Sequence, residues 1–412
     1  MGIIFATSLS SSPLLSTVIG YALVAIAYAL LALLFIIRDE VVIFVYRPII
    51  YPLAAVWALF AISFIANIGR SSVLRLAAFT LLTAVNVLIL PAVIDRRVAY
   101  RAVSRSGAAL TLVGLPVVLV GGIAVGPVTL EPWTGPQTFA TFTYYIPRSV
   151  FTTPNNLAVL AVFGAITAGT EWVHDRTPIA AGLIVINVFG VLITESRSGL
   201  LVLGTAAGLA AAYYVFDFHG LVVASIGGLV VFIGGLLAIQ ATPSSSLPTT
   251  IALNGRGAIW SATAEAISHR PLLGWGLGMD RLVIDRWFEG PSYFGEAGTH
   301  NSYLRVFLIG GVGAGAAYLV VCVTALVAAL RQAAGSFPPQ NHRVIDVCLV
   351  ILVIGLLIIQ TFSGATLFGM SVISTLGAIF VGYAQPLTSR YSVQLSELLN
   401  KTMQRIHGVL DS

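Results

Sequence analysis

The chain has 412 residues, 58% of them hydrophobic and only 9% charged, with a mean hydropathy of +0.96. A soluble domain carries about 25% charged residues, so a soluble enzyme is excluded, as is a separate polar domain with its own core. The formal charge of +5 comes from dispersed residues, almost all arginine with Lys401 the one lysine. That pattern excludes a nucleic-acid surface and suits basic loops on one side of a membrane.

The fold class expected is all-α, a polytopic transmembrane helical bundle. Apolar runs long enough to span fall at roughly 14–37, 49–68, 72–94, 108–126, 156–170, 178–194, 199–216, 220–240, 301–329, 344–363 and 367–385, about eleven in a range of 10–12. No basic stretch precedes the first run, which argues against a cleaved signal. The short loop "DRRVAYRAVSR", Asp95 to Arg105, is strongly basic and therefore cytoplasmic. Alternation puts Arg38, Arg47, the "EWVHDRTP" and "DFHG" turns, Arg331 and Arg343 on that side, with the N-terminus outside. The tail "YSVQLSELLNKTMQRIHGVL", with Arg390, Lys401 and Arg405 at or near it, lands there too and predicts an amphipathic surface helix. Two long loops occupy the other face, about 126–155 and 241–299; loops of that length are usually functional. The organisation expected is N-terminal helices over 1–126, a core over 127–329 with the outer loop 241–300, C-terminal helices over 330–389 and a tail over 390–412. Cys322 and Cys348 fall inside spans and give neither a disulfide framework nor zinc spacing.

Arginine is disfavoured on the outer side, yet Arg70, Arg148, Arg197, Arg256, Arg270, Arg281 and Arg286 fall there. In "YYIPRSVFTTPNNLAV", Arg148, Asn155 and Asn156 stand just before the fifth run. Either Asn155 or Thr153 caps that helix, or the asparagines line an outer cavity and bind sugar hydroxyls. In "LITESRSGLLVLG", Arg197 either pairs with Glu195 or joins Ser198 and Gly199, at the amino end of the next helix, in an anion site. "NGRGAIWSATAEAISHRPLLGWGLG" predicts a helix from about Gly257 to Ser268, with Arg256 at its start and Trp260 one turn on. It is either an interfacial helix with an aromatic anchor or a device holding Arg256 over a lipid-linked anion. The glycines beyond Pro271 make a turn-rich exit, not a dinucleotide fingerprint, since no strand precedes them. "GTHNSYLRVFLIGG" puts His300 and Asn301 at the mouth of a long apolar helix, with Tyr303 and Arg305 following. His300 either caps the helix or acts as a base. Asn301 can orient the imidazole or bind a hydroxyl, and Arg305 is near enough to share an anion. No second ligand stands at helical spacing to His300, so no metal is expected.

The order "TPNNLAV", "ESRSGLL", "GRGAIWSATAEAISHRPLLGWGLG" and "THNSYLRVFLIGGVGAG", over roughly residues 145 to 320, resembles the O-antigen ligase and O-antigen polymerase superfamily of membrane glycosyltransferases. The resemblance implies a C-type, metal-independent transferase without cofactor, working on the outer face of the cytoplasmic membrane. Its donor would be a polyprenyl-(pyro)phosphate-linked oligosaccharide, its acceptor a hydroxyl of a lipid, glycan or protein. Besides membrane lipids no other partner is expected, and no nucleic acid. The resemblance gives Arg197 and Arg256 the carrier phosphates and His300 the catalytic role. The substrate-binding set around them is Asn301, Arg305, Glu195, Ser198, Arg148, Asn155, Asn156, Tyr303 and Trp260. The span count, about eleven against the family's usual twelve or so, is a departure. A polymerase of the same superfamily is the alternative within the class. A lipid-linked glycan transporter or flippase is the alternative outside it, disfavoured because mid-span charges are nearly absent, apart from Arg75 and Arg305 near span ends.

Overall fold

The structure is a computed structural model that describes every residue except 11, 38–41, 68–72, 127, 140, 242–254, 289–297, 336–339, 386–391 and 395–412. Helices α1 (Gly2–Leu9) and α2 (Thr17–Ile37) lead through strand β1 (Val42–Phe44) into α3 (Arg47–Ala66). Helix α4 (Val73–Ala84) passes through a π-helical turn, Val85–Ile89, into α5 (Leu90–Val93), and α6 (Arg96–Val120) follows. Two small hairpins come next, β2 (Ile123–Val125) with β3 (Val128–Leu130) and β4 (Gln137–Phe139) with β5 (Phe142–Tyr144). Then come α7 (Pro154–Asp175), α8 (Pro178–Ile193), α9 (Arg197–Ala241), α10 (Arg256–His269) and α11 (Asp280–Ile284). Helices α12 (Ser302–Ala334), α13 (Gln340–Phe362) and α14 (Val372–Tyr383) and strand β6 (Ser392–Gln394) complete the chain.

Seven of the described helices are long and apolar enough to cross a membrane, and three shorter ones are apolar. Helix α13 is the most buried of the seven long ones. Prolines at the first turns of α7 and α8 and the Asp95 carboxylate capping α6 start these helices as local chemistry expects. Small residues set the closest approaches. Asn187 of α8 wedges between Gly107 of α6 and Gly164 of α7, donating to the Ser104 and Leu183 carbonyls. A Cβ at Gly164 would overlap the Asn187 side-chain oxygen. Gly164→Ala is therefore expected to destabilise the protein by about 1–3 kcal/mol. In a double-mutant cycle with Asn187→Ala, measured by thermal unfolding in detergent, the two changes together should cost less than their sum.

Two helices reverse direction inside the stretch assigned to them. In α9 a Cβ at Gly220 would overlap the carbonyl of Ala212, eight residues away, where a continuous helix would separate them by about 12 Å. The reversal is at Asp217, whose φ is 53° and ψ −146°, between the runs expected at 199–216 and 220–240. Helix α12 corrects a stronger expectation, a continuous span over 301–329. The Tyr303 and Tyr318 rings lie 6.2 Å apart, where a continuous helix would hold those residues about 22 Å apart. The break is at Gly311, with φ 77° and ψ −177°. Its freed backbone groups are satisfied by the turn after α10: Trp275 N donates to Leu308 O, Gly276 N to Ile309 O, and Val312 N to Pro271 O. The Ser63 hydroxyl of α3 also reaches Ile309 O, at 2.8 Å. Residues 302–310 thus form a half-helix folded back beside the span that follows.

Three smaller differences follow. An apolar helix, α1, precedes the first expected run. The run expected over 367–385 is helical only from Val372, because Ser363 to Ser371 are irregular. Residues 392–394, expected within an amphipathic helix, pair as a strand with β1 instead. The remainder of that tail, with Arg390, Lys401 and Arg405, lies outside the described residues, as do Arg38, Arg70 and the stretches 242–254 and 289–297 of the outer loop.

The charge-rich turns gather at one end of the bundle. Arg96 binds Asp346 at 2.6 Å, Arg101 binds Asp175 at 2.8 Å, and Arg331 reaches the Tyr46 hydroxyl. Arg197, Arg256 and His300 belong to the opposite end.

Candidate active site

The amino end of the half-helix is fixed by its own side chains. Asn301 is the N-cap, its Oδ1 accepting from Leu304 N at 3.0 Å, and Thr299 Oγ1 donates to Asn301 O at 3.1 Å. This leaves His300 in the left-handed region, φ 46°, which histidine enters more readily than most non-glycine residues. The imidazole so stands at a helix end carrying partial positive charge. Asn301 is buried in its capping role. The Tyr303 hydroxyl donates to Leu357 O at 3.0 Å, inside the bundle. Neither of these two side chains lines the cavity beside His300.

That cavity has a volume of about 340 Å³. Thr152, Thr153, Asn155 and Asn156 at the start of α7, Ser198 of α9, His300 just before α12 and Arg305 within it line one side. Thr153 occupies the N-cap position of α7 without a side-chain capping bond, and Asn155 Oδ1 is held by Ser196. The other side is the irregular segment from Ser363 to Ser371, with Phe79 and Ser374.

An irregular backbone within an apolar bundle needs partners for its polar groups, and five side chains supply them. Ser302 Oγ donates to Ser363 O and Arg305 Nη1 to Gly364 O, both at 2.6 Å. The Tyr318 hydroxyl accepts from Leu367 N and donates to Gln360 Oε1. Thr83 of α4 donates to Leu367 O, and Ser10, just beyond α1, to Met370 O. Sequence reasoning missed this wall. Its signal was the Ser-Gly-Ala-Thr and Gly-Met-Ser punctuation, diluted by the apolar residues between.

The two arginines meet at the α9–α10 edge. Ser196 caps α9, accepting from Gly199 N at 3.3 Å and donating to Asn155 Oδ1 at 2.8 Å. That ties the "SRS" turn to the cavity, with Arg197 exposed as the first residue of the helix. Arg256, first residue of α10, lies over the Phe362 ring at 5.8 Å, and Phe362 lines the cavity. Burial, and then the positive charge of Arg197, push the Arg256 pKa down. Guanidiniums at a helix start are chemically suited to hold an anion. Trp260 packs on the same phenylalanine at 6.4 Å.

Glu195 and Arg148 take other partners. Glu195, in the left-handed region at φ 49°, accepts from the Tyr144 hydroxyl of β5, and that bond pushes the Tyr144 pKa up. Arg148 binds the Glu131 carboxylate at 2.6 Å. Neither lines the cavity. Among the described residues no cluster of His, Cys, Asp and Glu side chains has the spacing of a metal site.

No curated protein matches the chain. Residues 182–319 match the family model described as O-Antigen ligase. That stretch carries Arg197, Arg256, His300 and Arg305, while Asn155, Asn156 and the 363–371 wall stand outside it. Its apolar helices make the chain a multi-pass membrane protein, and residues 182–319 of it are similar to the O-antigen ligase family.

Proposed function

We propose that the protein is a membrane glycosyltransferase that moves a glycan from a polyprenyl-(pyro)phosphate carrier to an acceptor hydroxyl on the outer face of the cytoplasmic membrane, as an O-antigen ligase does. The observation that carries this reading is the cavity that brings His300, Asn155, Asn156 and Ser198 together, with Arg256 at its edge over Phe362 and Arg197 next to Ser198. In this reading the acceptor oxygen forms a bond to the sugar's anomeric carbon while the carbon–oxygen bond to the carrier phosphate breaks. The leaving phosphate takes the electron pair, and Arg197, Arg256 and the amino end of α9 stabilise it. His300 takes the acceptor's proton. Guanidiniums do the charge neutralisation, so neither metal nor cofactor is required. Asn155, Asn156 and Ser198 line the path of the sugar and bind its hydroxyls. Arg305 and Trp260 shape the cavity and the carrier edge. Asn301, Tyr303, Glu195 and Arg148 hold the elements that present the site. The gathering of paired arginines at the far end of the bundle supports the outward orientation.

The test is deletion of the gene in its host, restored with wild type or Arg197→Ala, with surface glycans and lipid-linked oligosaccharides profiled together. The expected result is loss of surface glycan and build-up of the lipid-linked donor in both the deletion and the variant. Full-length unattached chains mark a missing ligase, whereas single capped units mark a missing polymerase. Donor trapped on the cytoplasmic leaflet would replace the transferase with a flippase.

A further inference from the structure

The cavity has two unlike ends. Toward α9 and α10 it is bounded by Ser198 and Phe362, with Arg197 and Arg256 next to them. Toward α4 and α14 it is bounded by Phe79, Met370, Ser371 and Ser374, and no charged side chain among the described residues lines that end. Ser371 and Ser374 lie with their hydroxyls 2.9 Å apart. Phe368 beneath them is fixed from three sides by the rings of Trp57, Phe60 and Tyr318. The wall between is equally rigid, because the side chains of Ser10, Thr83, Ser302, Arg305 and Tyr318 hold its backbone. His300 sits between the two ends, its backbone nitrogen against Gly364.

We propose that the α4–α14 end is the acceptor subsite and that it takes an uncharged saccharide. This rests on the transferase reading above. A sugar ring offers an apolar face and a rim of hydroxyls. Phe79 and Met370 match the face, and the two serine hydroxyls, each able to donate and accept, match the rim. A phosphorylated or acidic sugar would lose water there without gaining a cationic partner. Arg305, which lines the cavity, is held by Gly364 O beside His300, and Arg197 and Arg256 stand at the donor edge. The two ends thereby sort the substrates by charge, the anionic carrier to one side and the neutral acceptor to the other.

The experiment uses the full chain in nanodiscs with host-extracted polyprenyl diphosphate-linked oligosaccharide as donor. Short alkyl glycosides of neutral hexoses, and the same glycosides as phosphate esters, serve as acceptors. The neutral glycosides are expected to be glycosylated with kcat/KM at least about tenfold above their phosphate esters. Met370→Trp, which narrows that end, and Ser374→Ala are each expected to raise acceptor KM about tenfold, with donor KM moving less than about twofold. Arg256→Ala should show the reverse split. Equal or better use of the phosphate esters overturns the proposal. So does an equal effect of Met370→Trp on both KM values, or none. Donor consumed only with anionic envelope lipids as acceptors also overturns it, while leaving the transferase reading in place. Donor left unconsumed under every condition removes both.

Discussion

Replacing His300 with asparagine is expected to slow glycan transfer by about 10²–10⁴-fold, the usual contribution of a positioned base, while the donor still binds. Asparagine tolerates the left-handed backbone at φ 46°, so the Asn301 cap and the half-helix stay in place. What is lost is the group proposed to accept the acceptor's proton. Arg256 supplies the contrasting result. Arg256→Lys keeps a positive charge but loses the planar fork and its stacking on Phe362. Weakening one of two groups aimed at developing charge should cost about 10²–10³ in rate and also weaken donor binding. Both variants are measured by donor consumption in nanodiscs, alongside a binding titration with the carrier diphosphate. A His300→Asn protein at wild-type rate would remove the histidine from the chemistry. One that no longer binds donor would move it to the carrier.

Gly311→Val is expected to abolish a folded, monodisperse protein, as seen by size exclusion and thermal unfolding in detergent. At φ 77° and ψ −177° the residue occupies a region open almost only to glycine. A Cβ there would overlap the carbonyl of Leu272. Moving that backbone would break the bonds that close the reversal, Trp275 to Leu308, Gly276 to Ile309 and Val312 to Pro271. Strain, overlap and unpaired backbone in an apolar setting together exceed about 4 kcal/mol, a severe loss for a single substitution. Gly313→Ala is the control. Its added carbon would stand 3.3 Å from the Leu59 side chain, which has room to adjust, so that variant should remain folded. A stable Gly311→Val protein would mean that the half-helix does not depend on this turn.

Hydropathy made most of the spans legible, because each is a nearly unbroken apolar run and the arginines between them are few. It could not reveal direction. "FLIGGVGAG" reads as continuous helix, since two adjacent glycines inside an apolar run also serve close packing. Only the partner turn, Pro271 to Gly276, makes them a reversal. The stretch "SGATLFGMS" was hidden for the same reason, as Leu367, Phe368 and Met370 have the composition of a span. Among site residues, motif order singled out His300, Arg305, Asn155, Asn156 and Ser198, which meet around one cavity, and Arg197 and Arg256, which meet at its edge. Spacing misled for Glu195. Two residues from Arg197 it looks like an ion-pair partner, but its left-handed backbone turns it to Tyr144. Arg148 is likewise held by Glu131, seventeen positions upstream and beyond any local pattern.

The wall that is braced by side chains from across the bundle has a consequence for how the protein is made. Ser10, one of its braces, and Met370, the residue it holds, are 360 positions apart. The ribosome therefore delivers the arginines and the histidine well before the last part of the pocket exists. Contacts spanning so much of the chain form late, after the intervening segments have been inserted. A chain stalled or cut short before position 370 would carry the reactive side chains with an open flank. Completion of the pocket is thus tied to completion of translation.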